Sequence, residues 1–258
     1  MTVALLDALD AHSGIVCAVG AGGKKTTLYA LAQAHPGRVG FTCTVFMARF
    51  SRRLPGARVI TDADDPTREV DAAAREQARV AWARPAAKSG RVGGVPPTSV
   101  AACHAAGRFD VTLVKADGAR MRAIKAPADG EPVIPAEATT VLFVVSAAAF
   151  GAPLDEAIAH RPERVSAVTG LAAGEPISAR AVGRLLAAED GAGQHVPSAA
   201  RLIAVINAVD DQSRAGQARD AAEIALAASP RLDRVVLTRH DEQAHVVDII
   251  ERPAPEQA

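Results

Sequence analysis

Val19-Gly20-Ala21-Gly22-Gly23-Lys24-Lys25-Thr26-Thr27-Leu28 is the stretch whose reading decides the fold. It follows an apolar run, Ile15 to Val19, and leads into a helical run, Leu28 to Ala34. Strand, glycine turn, then a helix carrying lysine and threonine is how a phosphate-binding loop is built. Glycines let the backbone turn sharply, so several N–H groups can face one anion. The helix N-terminus adds partial positive charge, which makes Lys24 and Lys25 unfavourable there by roughly 0.3–1 kcal/mol each. A bound phosphate reverses that sign. The strict pattern G-x-x-x-x-G-K-[ST] is not met, because Ala18 stands six residues before Lys24 and Lys25 follows it. The alternative reading is a glycine-rich turn that merely starts a helix.

The whole chain bounds what that loop can serve. Its 258 residues are 49% hydrophobic, enough for a sizeable core, but aromatics are only 3%. Abundant alanine blurs the helix faces. Formal net charge is zero, from 29 basic and 29 acidic side chains, so there is no electrostatic footprint for nucleic acid or an acidic membrane. Cys17, Cys43 and Cys103 are widely spaced and form neither a metal cluster nor a disulfide framework. The mixed, acidic N-terminus is no signal peptide. The longest uncharged run, Thr139 to Leu154, is shorter than the ~18–20 apolar residues of a membrane helix and is broken by Gly151 and Pro153. These features predict a soluble cytoplasmic protein.

Working outward, a short helix precedes Ser13, and strands are expected at 15–19, 38–42, 58–61, 109–116, 141–145, 202–206, 235–238 and 246–250. The second strand continues through Cys43 and Thr44 toward Phe46. Helices are expected at 67–82, 96–106, 178–188, with Ser178 as cap, and 215–228. Residues 86–95 read as a turn-rich stretch with room for a short strand, 191–197 as a polar loop, and the tail after Glu251 as frayed. The aspartates Asp62, Asp64 and Asp65 suit a helix start and need no metal. Alternation of strands and helices predicts an α/β fold, a three-layer sandwich of the P-loop type over residues 1–258, with a mostly parallel sheet covered on both faces.

Ligands of such sheets bind at the carboxyl ends of the strands. Several polar residues fall there. Thr42 and Thr44 are either phosphate or metal-water ligands or plain β-formers. Asp117 ends a buried strand, where nucleotide-binding folds place a magnesium or water ligand, although an aspartate before glycine is also a common turn. Asn207 and Asp210 have the spacing of a guanine-reading element, in which asparagine supports the loop and aspartate accepts from the base. Between Asp117 and residue 137 the chain shows no helical or strand period. It carries Arg120, Arg122, Lys125, Asp129 and Glu131 among stiffening prolines, and reads as an ordered lid or partner-binding loop. His160 stands before Arg161-Pro162-Glu163.

Four stretches resemble the selenium-dependent hydroxylase accessory proteins of the YqeC type: VGAGGKKTTLYALA (19–32), ADGARMRAIKAPADGEPVIP (116–135), HRPE (160–163) and the strand before Asn207. The resemblance implies a P-loop nucleotide-binding protein that serves the maturation of selenium-dependent molybdenum hydroxylases. It implies a nucleotide on Gly20, Gly22, Gly23 and Lys24, with Thr26 or Thr27 nearby and Arg120, Lys125 and Glu131 from the charged loop. Together with the loop residues Ala21 and Lys25 and the strand-end residues Thr42, Asn207 and Asp210, these form the expected site for ATP or GTP. Lys24 and Asp117 would be catalytic, with Mg²⁺ on Thr26 and Asp117. The implied activity is slow hydrolysis of ATP or GTP. The alternative is a non-hydrolysing carrier that hands a phosphorylated molybdopterin-type cofactor to a molybdenum hydroxylase or its maturation proteins. Phosphoryl transfer to a small substrate ranks last. Three departures weaken hydrolysis and guanine choice more than phosphate binding. Lys25 stands where a threonine often follows, Lys115 where relatives usually have glutamate, and Ala208 where the N-K-x-D lysine belongs.

Overall fold

The computed structural model describes residues 2–52, 54–240 and 244–252. In chain order the helices are α1 (Thr2–Ala8), α2 (Lys24–Ala34), α3 (Thr67–Glu76), α4 (Thr98–Ala106), α5 (Pro162–Thr169), α6 (Ala179–Ala187) and α7 (Gln212–Ala228). The strands are β1 (Gly14–Gly20), β2 (Val39–Cys43), β3 (Met47–Ala48), β4 (Ala57–Ile60), β5 (Arg79–Ala83), β6 (Arg91–Val92), β7 (Val111–Lys115), β8 (Ile124–Lys125), β9 (Thr140–Ser146), β10 (Ala159–His160), β11 (Arg201–Asn207), β12 (Leu232–His240) and β13 (Ala244–Glu251).

A nine-stranded sheet runs β13-β12-β11-β9-β1-β7-β2-β5-β4. Only the β12–β13 pair is antiparallel. The central strands are buried from end to end because both faces are covered. Along β1, Ile15, Cys17 and Val19 face one core, with residues of α3, α4, α6 and α7. Val16 and Ala18 face the other, with α1 and α2. This period of two, read against helices on both sides, is the expected α/β three-layer arrangement.

Two sequence expectations fail here. The helix starting at Thr67 stops at Glu76 instead of reaching Trp82, and residues 79–83 form β5 between β2 and β4. Val80 and Trp82 enter one core while Ala81 and Ala83 enter the other. Burial on both faces thus overrides an alanine-rich run that reads as helix. Trp82 also stacks on Phe109 at 5.7 Å. The second failure is α5, which was not expected at all. Pro162 sits in its first turn and Gly170 ends it at φ 73°. Elsewhere Ser178 caps α6 by accepting from the Ala181 N–H, as expected. The expected frayed tail lies, from residue 253 on, outside the described residues.

Candidate functional site

The carboxyl ends of β1, β7, β9 and β11 stand side by side, and Gly20, Asp117, Ser146 and Asn207 come together there. The glycine loop is held on every side. The Gly20 N–H donates to Asp117 Oδ2 at 2.9 Å, the Ala21 N–H to the Val144 carbonyl at 2.7 Å, and the Gly22 N–H to the Arg122 carbonyl at 2.9 Å. Asn207 Nδ2 donates to the Gly22 carbonyl at 3.1 Å, and Thr238 Oγ1 donates to Asn207 Oδ1 at 3.2 Å. Gly22 has φ 73°, and a Cβ there would lie 2.4 Å from the Ser146 nitrogen. The amides of Gly20, Ala21 and Gly22 are therefore spent inside the protein. The first amide bonded within α2 is that of Thr27, which donates to the Gly23 carbonyl at 2.9 Å. The N–H groups from Gly23 to Thr26 are those a helix start leaves without intrahelical partners. The amides left for any anion on this loop are therefore those of Gly23 to Thr26, not those of Gly20 to Gly22.

Beside that helix start is a cluster of buried charge. Lys24, Lys115 and Lys125 are 5%, 7% and 0% exposed, and Asp117 is 1% exposed. Lys24 Nζ lies 2.7 Å from Asp117 Oδ1, as an ion pair out of line for a hydrogen bond, and it also donates to the Gly20 carbonyl. Lys125 Nζ lies 2.9 Å from Asp117 Oδ2 and donates to Glu131 Oε2 and the Gly118 carbonyl, both at 2.7 Å. Lys115 Nζ donates to the backbone carbonyl of Asp117 and approaches that of Phe46 at 3.5 Å. Arg161 Nη1 closes the group on Glu131 Oε2 at 2.7 Å.

The pKa directions follow from that crowding. Burial pushes the Lys24 ammonium below its usual range, although Asp117 pulls the other way. Burial, with Lys24 beside it, pushes Lys115 down to about 8. Burial works against the charge on Glu131, but hydrogen bonds from Arg161 and Lys125 prevail and hold its carboxyl down to about 2.

The remaining expected site residues divide. Lys25 and Thr26 are exposed at the start of α2, while Thr27 is buried. Thr42 is elsewhere, its hydroxyl donating to the Trp82 carbonyl at 2.7 Å. Thr44 donates to the Val133 carbonyl at 2.6 Å and so ties β2 to the 118–135 segment. Arg120 is exposed in the left-handed region at φ 44°. Asp210 is exposed and pairs with Arg214 at 3.0 Å. The segment itself is ordered. Gln194 Nε2 donates to the carbonyls of Ala128 and Glu131, both at 2.6 Å, and Arg164 Nε to that of Pro127 at 2.6 Å.

Sequence reasoning missed Lys115 and Arg161 as members of the site. Lys115 registered only as a departure from the family pattern, and Arg161 only as part of HRPE. Their signals were a lysine near the end of an apolar strand and an arginine just before a proline-initiated helix.

Magnesium does not fit Asp117 as arranged. Both carboxylate oxygens face ammonium groups within 2.9 Å. Among the described residues no group of three or more His, Cys, Asp or Glu could hold a metal ion. No helix among them is long and apolar enough to cross a membrane.

The YqeC protein family matches residues 16–163. The chain belongs to the YqeC family. That match takes in the glycine loop, all three clustered lysines, Asp117, Glu131 and Arg161, and stops before Asn207 and Asp210. The chain is also similar to the Uncharacterized protein YqeC of Escherichia coli (strain K12), at 29% identity over 196 residues, 75% of each chain. YqeC membership thus covers the buried charge cluster, whereas the Asn207–Asp210 element lies outside the matched span.

Proposed function

We propose that this protein binds a phosphate-bearing ligand at the carboxyl edge of its sheet, as a nucleotide-binding accessory protein of P-loop type serving the maturation of selenium-dependent molybdenum hydroxylases. One observation carries the reading. Among the described residues, Lys24, Lys125 and Arg161 pair with two carboxylates, Asp117 and Glu131, and Lys115 with the Asp117 carbonyl, in a largely buried cluster beside a helix N-terminus. Buried cations in excess of their partners call for an anion. The open amides from Gly23 to Thr26 would hold phosphate oxygens, and Lys24 would turn from Asp117 toward them. Asn207 supports the loop through Gly22, which agrees with the asparagine role in base-reading elements. Asp210 is free of the loop, at its edge, and would reach a base only by leaving Arg214.

A second reading is a carrier that holds a phosphorylated molybdopterin-type cofactor without hydrolysis. The commitment of Asp117 to two lysines and the Gly20 amide favours it, because little of that carboxylate is left for a metal or a water. Calorimetric titration of ATP and GTP, alongside a phosphate-release assay, separates the two. Binding with slow release supports nucleotide turnover. Absence of nucleotide binding, with a phosphorylated compound found by mass spectrometry in the purified protein, supports the carrier. Lys24→Ala should abolish binding of whichever ligand is found, and unchanged affinity in that variant would show the loop lysine to be misassigned.

A further inference from the structure

The proposed phosphate ligand has to be reconciled with a site that offers no seat for its usual counter-ion. Nucleotide phosphates are ordinarily neutralised in part by magnesium, which wants oxygen ligands and is commonly held through one or two carboxylates. Here both nearby carboxylates are already counter-ions. Asp117 has an ammonium at 2.7 Å from one oxygen and another at 2.9 Å from the other. Glu131 Oε2 receives Lys125 and Arg161, each at 2.7 Å. A divalent cation brought within reach of Asp117 would meet Lys24, Lys115 and Lys125 at once. The four cations against two carboxylates leave a surplus of two positive charges. A phosphate monoester group carries about −1.5 to −2 at pH 7.

We infer that the site takes its phosphate group free of divalent metal, the surplus lysine and arginine charge replacing magnesium as the neutralising partner. This inference rests on the phosphate-binding reading above. It names the ligand class as a metal-free phosphate or polyphosphate group. Within the site, Lys24 exchanges Asp117 for a phosphate oxygen, while Lys125 stays with Asp117 and Glu131, and the buried charges of Lys115 and Lys125 beside the freed Oδ1 keep a divalent cation away. Asp117 keeps a cation throughout. Lys115, buried against the Asp117 carbonyl, supplies charge at short range without moving.

The test is calorimetric titration of the full chain with pyrophosphate, ATP and GTP, each in excess EDTA and again in excess Mg²⁺. The expected result is that at least one of them binds in EDTA within threefold of its affinity in Mg²⁺, or more tightly. A loss of more than threefold in EDTA for every ligand that binds overturns the inference and leaves the phosphate-binding reading standing. If none of the three binds under either condition, the inference and the nucleotide-binding reading fall together, and only the carrier reading is left. A second arm uses Lys115→Met, which removes one charge of the surplus and keeps the stem. In EDTA its affinity should drop tenfold or more while its melting temperature holds or rises. Unchanged affinity overturns the charge argument.

Discussion

Lys115 sits in β7, 7% exposed, among Lys24, Asp117, Cys43 and Lys125. Burial, then the like charge of Lys24, bring it to about 8 from 10.5. Its folded value is lower than its unfolded one, so between those values the unfolded chain binds more protons and stability rises with pH. Denaturant midpoints of the ligand-free protein should therefore climb from pH 8 to 10.5 and flatten in Lys115→Met. Phosphate affinity should move the opposite way, falling above pH 8 as the ammonium loses its proton. At Gly23, φ is 136° and a Cβ would stand 2.2 Å from Asn207 Nδ2. Gly23→Ala should cost about 1–3 kcal/mol, from a backbone conformation that side chains avoid. In an Asn207→Ala background, which lacks the collision but keeps the backbone strain, chemical denaturation should show a smaller cost of Gly23→Ala than in the parent protein, but not zero. No cost in that background would mean the strain is absent.

The 118–135 segment holds its shape without regular structure because other elements satisfy its backbone. Gln194, in the loop after α6, donates to two of its carbonyls at 2.6 Å, and Arg164 of α5 donates to a third. The short parallel pair β8–β10 aligns Lys125 with His160 and so brings Arg161 to Glu131. Gln194→Ala should cost about 0.5–1.5 kcal/mol, since two part-buried carbonyls lose their donor. Hydrogen exchange should quicken in 118–135 and stay unchanged in β1, β7 and β9. Equal quickening in the central strands would show that the segment is not separately held. At the other end of the site, Asn207 supports the loop. It bridges Gly22 and Thr238, so β11 and β12 brace the glycine loop across the sheet.

Across the whole molecule the formal charge is zero, yet charge is unevenly placed, with a buried positive surplus at one sheet edge. Such a cluster opposes folding, and the proposed anion would relieve it, which would link ligand and stability. At a ligand concentration of one hundred times its Kd the native state gains about 2.7 kcal/mol. For a chain of this size that is roughly 5–10 °C in melting temperature. Thermal unfolding with saturating pyrophosphate measures it directly, and chloride at equal ionic strength should give far less. Identical shifts from the two salts would reduce the site to general screening.

The sequence by itself determined the α/β character, the central strands and the position of the loop. Strands buried on both faces must be continuous apolar runs, as in Ile15–Val19 and Val141–Val145, and a sharp turn before a helix must be glycine-rich. It also marked Asp117, because an acid at the end of such a strand stands out. It could not mark β5, since Val80-Ala81-Trp82-Ala83 carries no local signal that separates strand from helix when alanine suits both. The family resemblance already grouped Lys24 and Lys125; only the tertiary structure added Lys115 and Arg161 to them. Sheet register sets Ala18 beside Lys115, and the β8–β10 pairing sets Lys125 beside His160. Strand pairing is non-local, and the charge balance of a site is a sum over whatever it brings together.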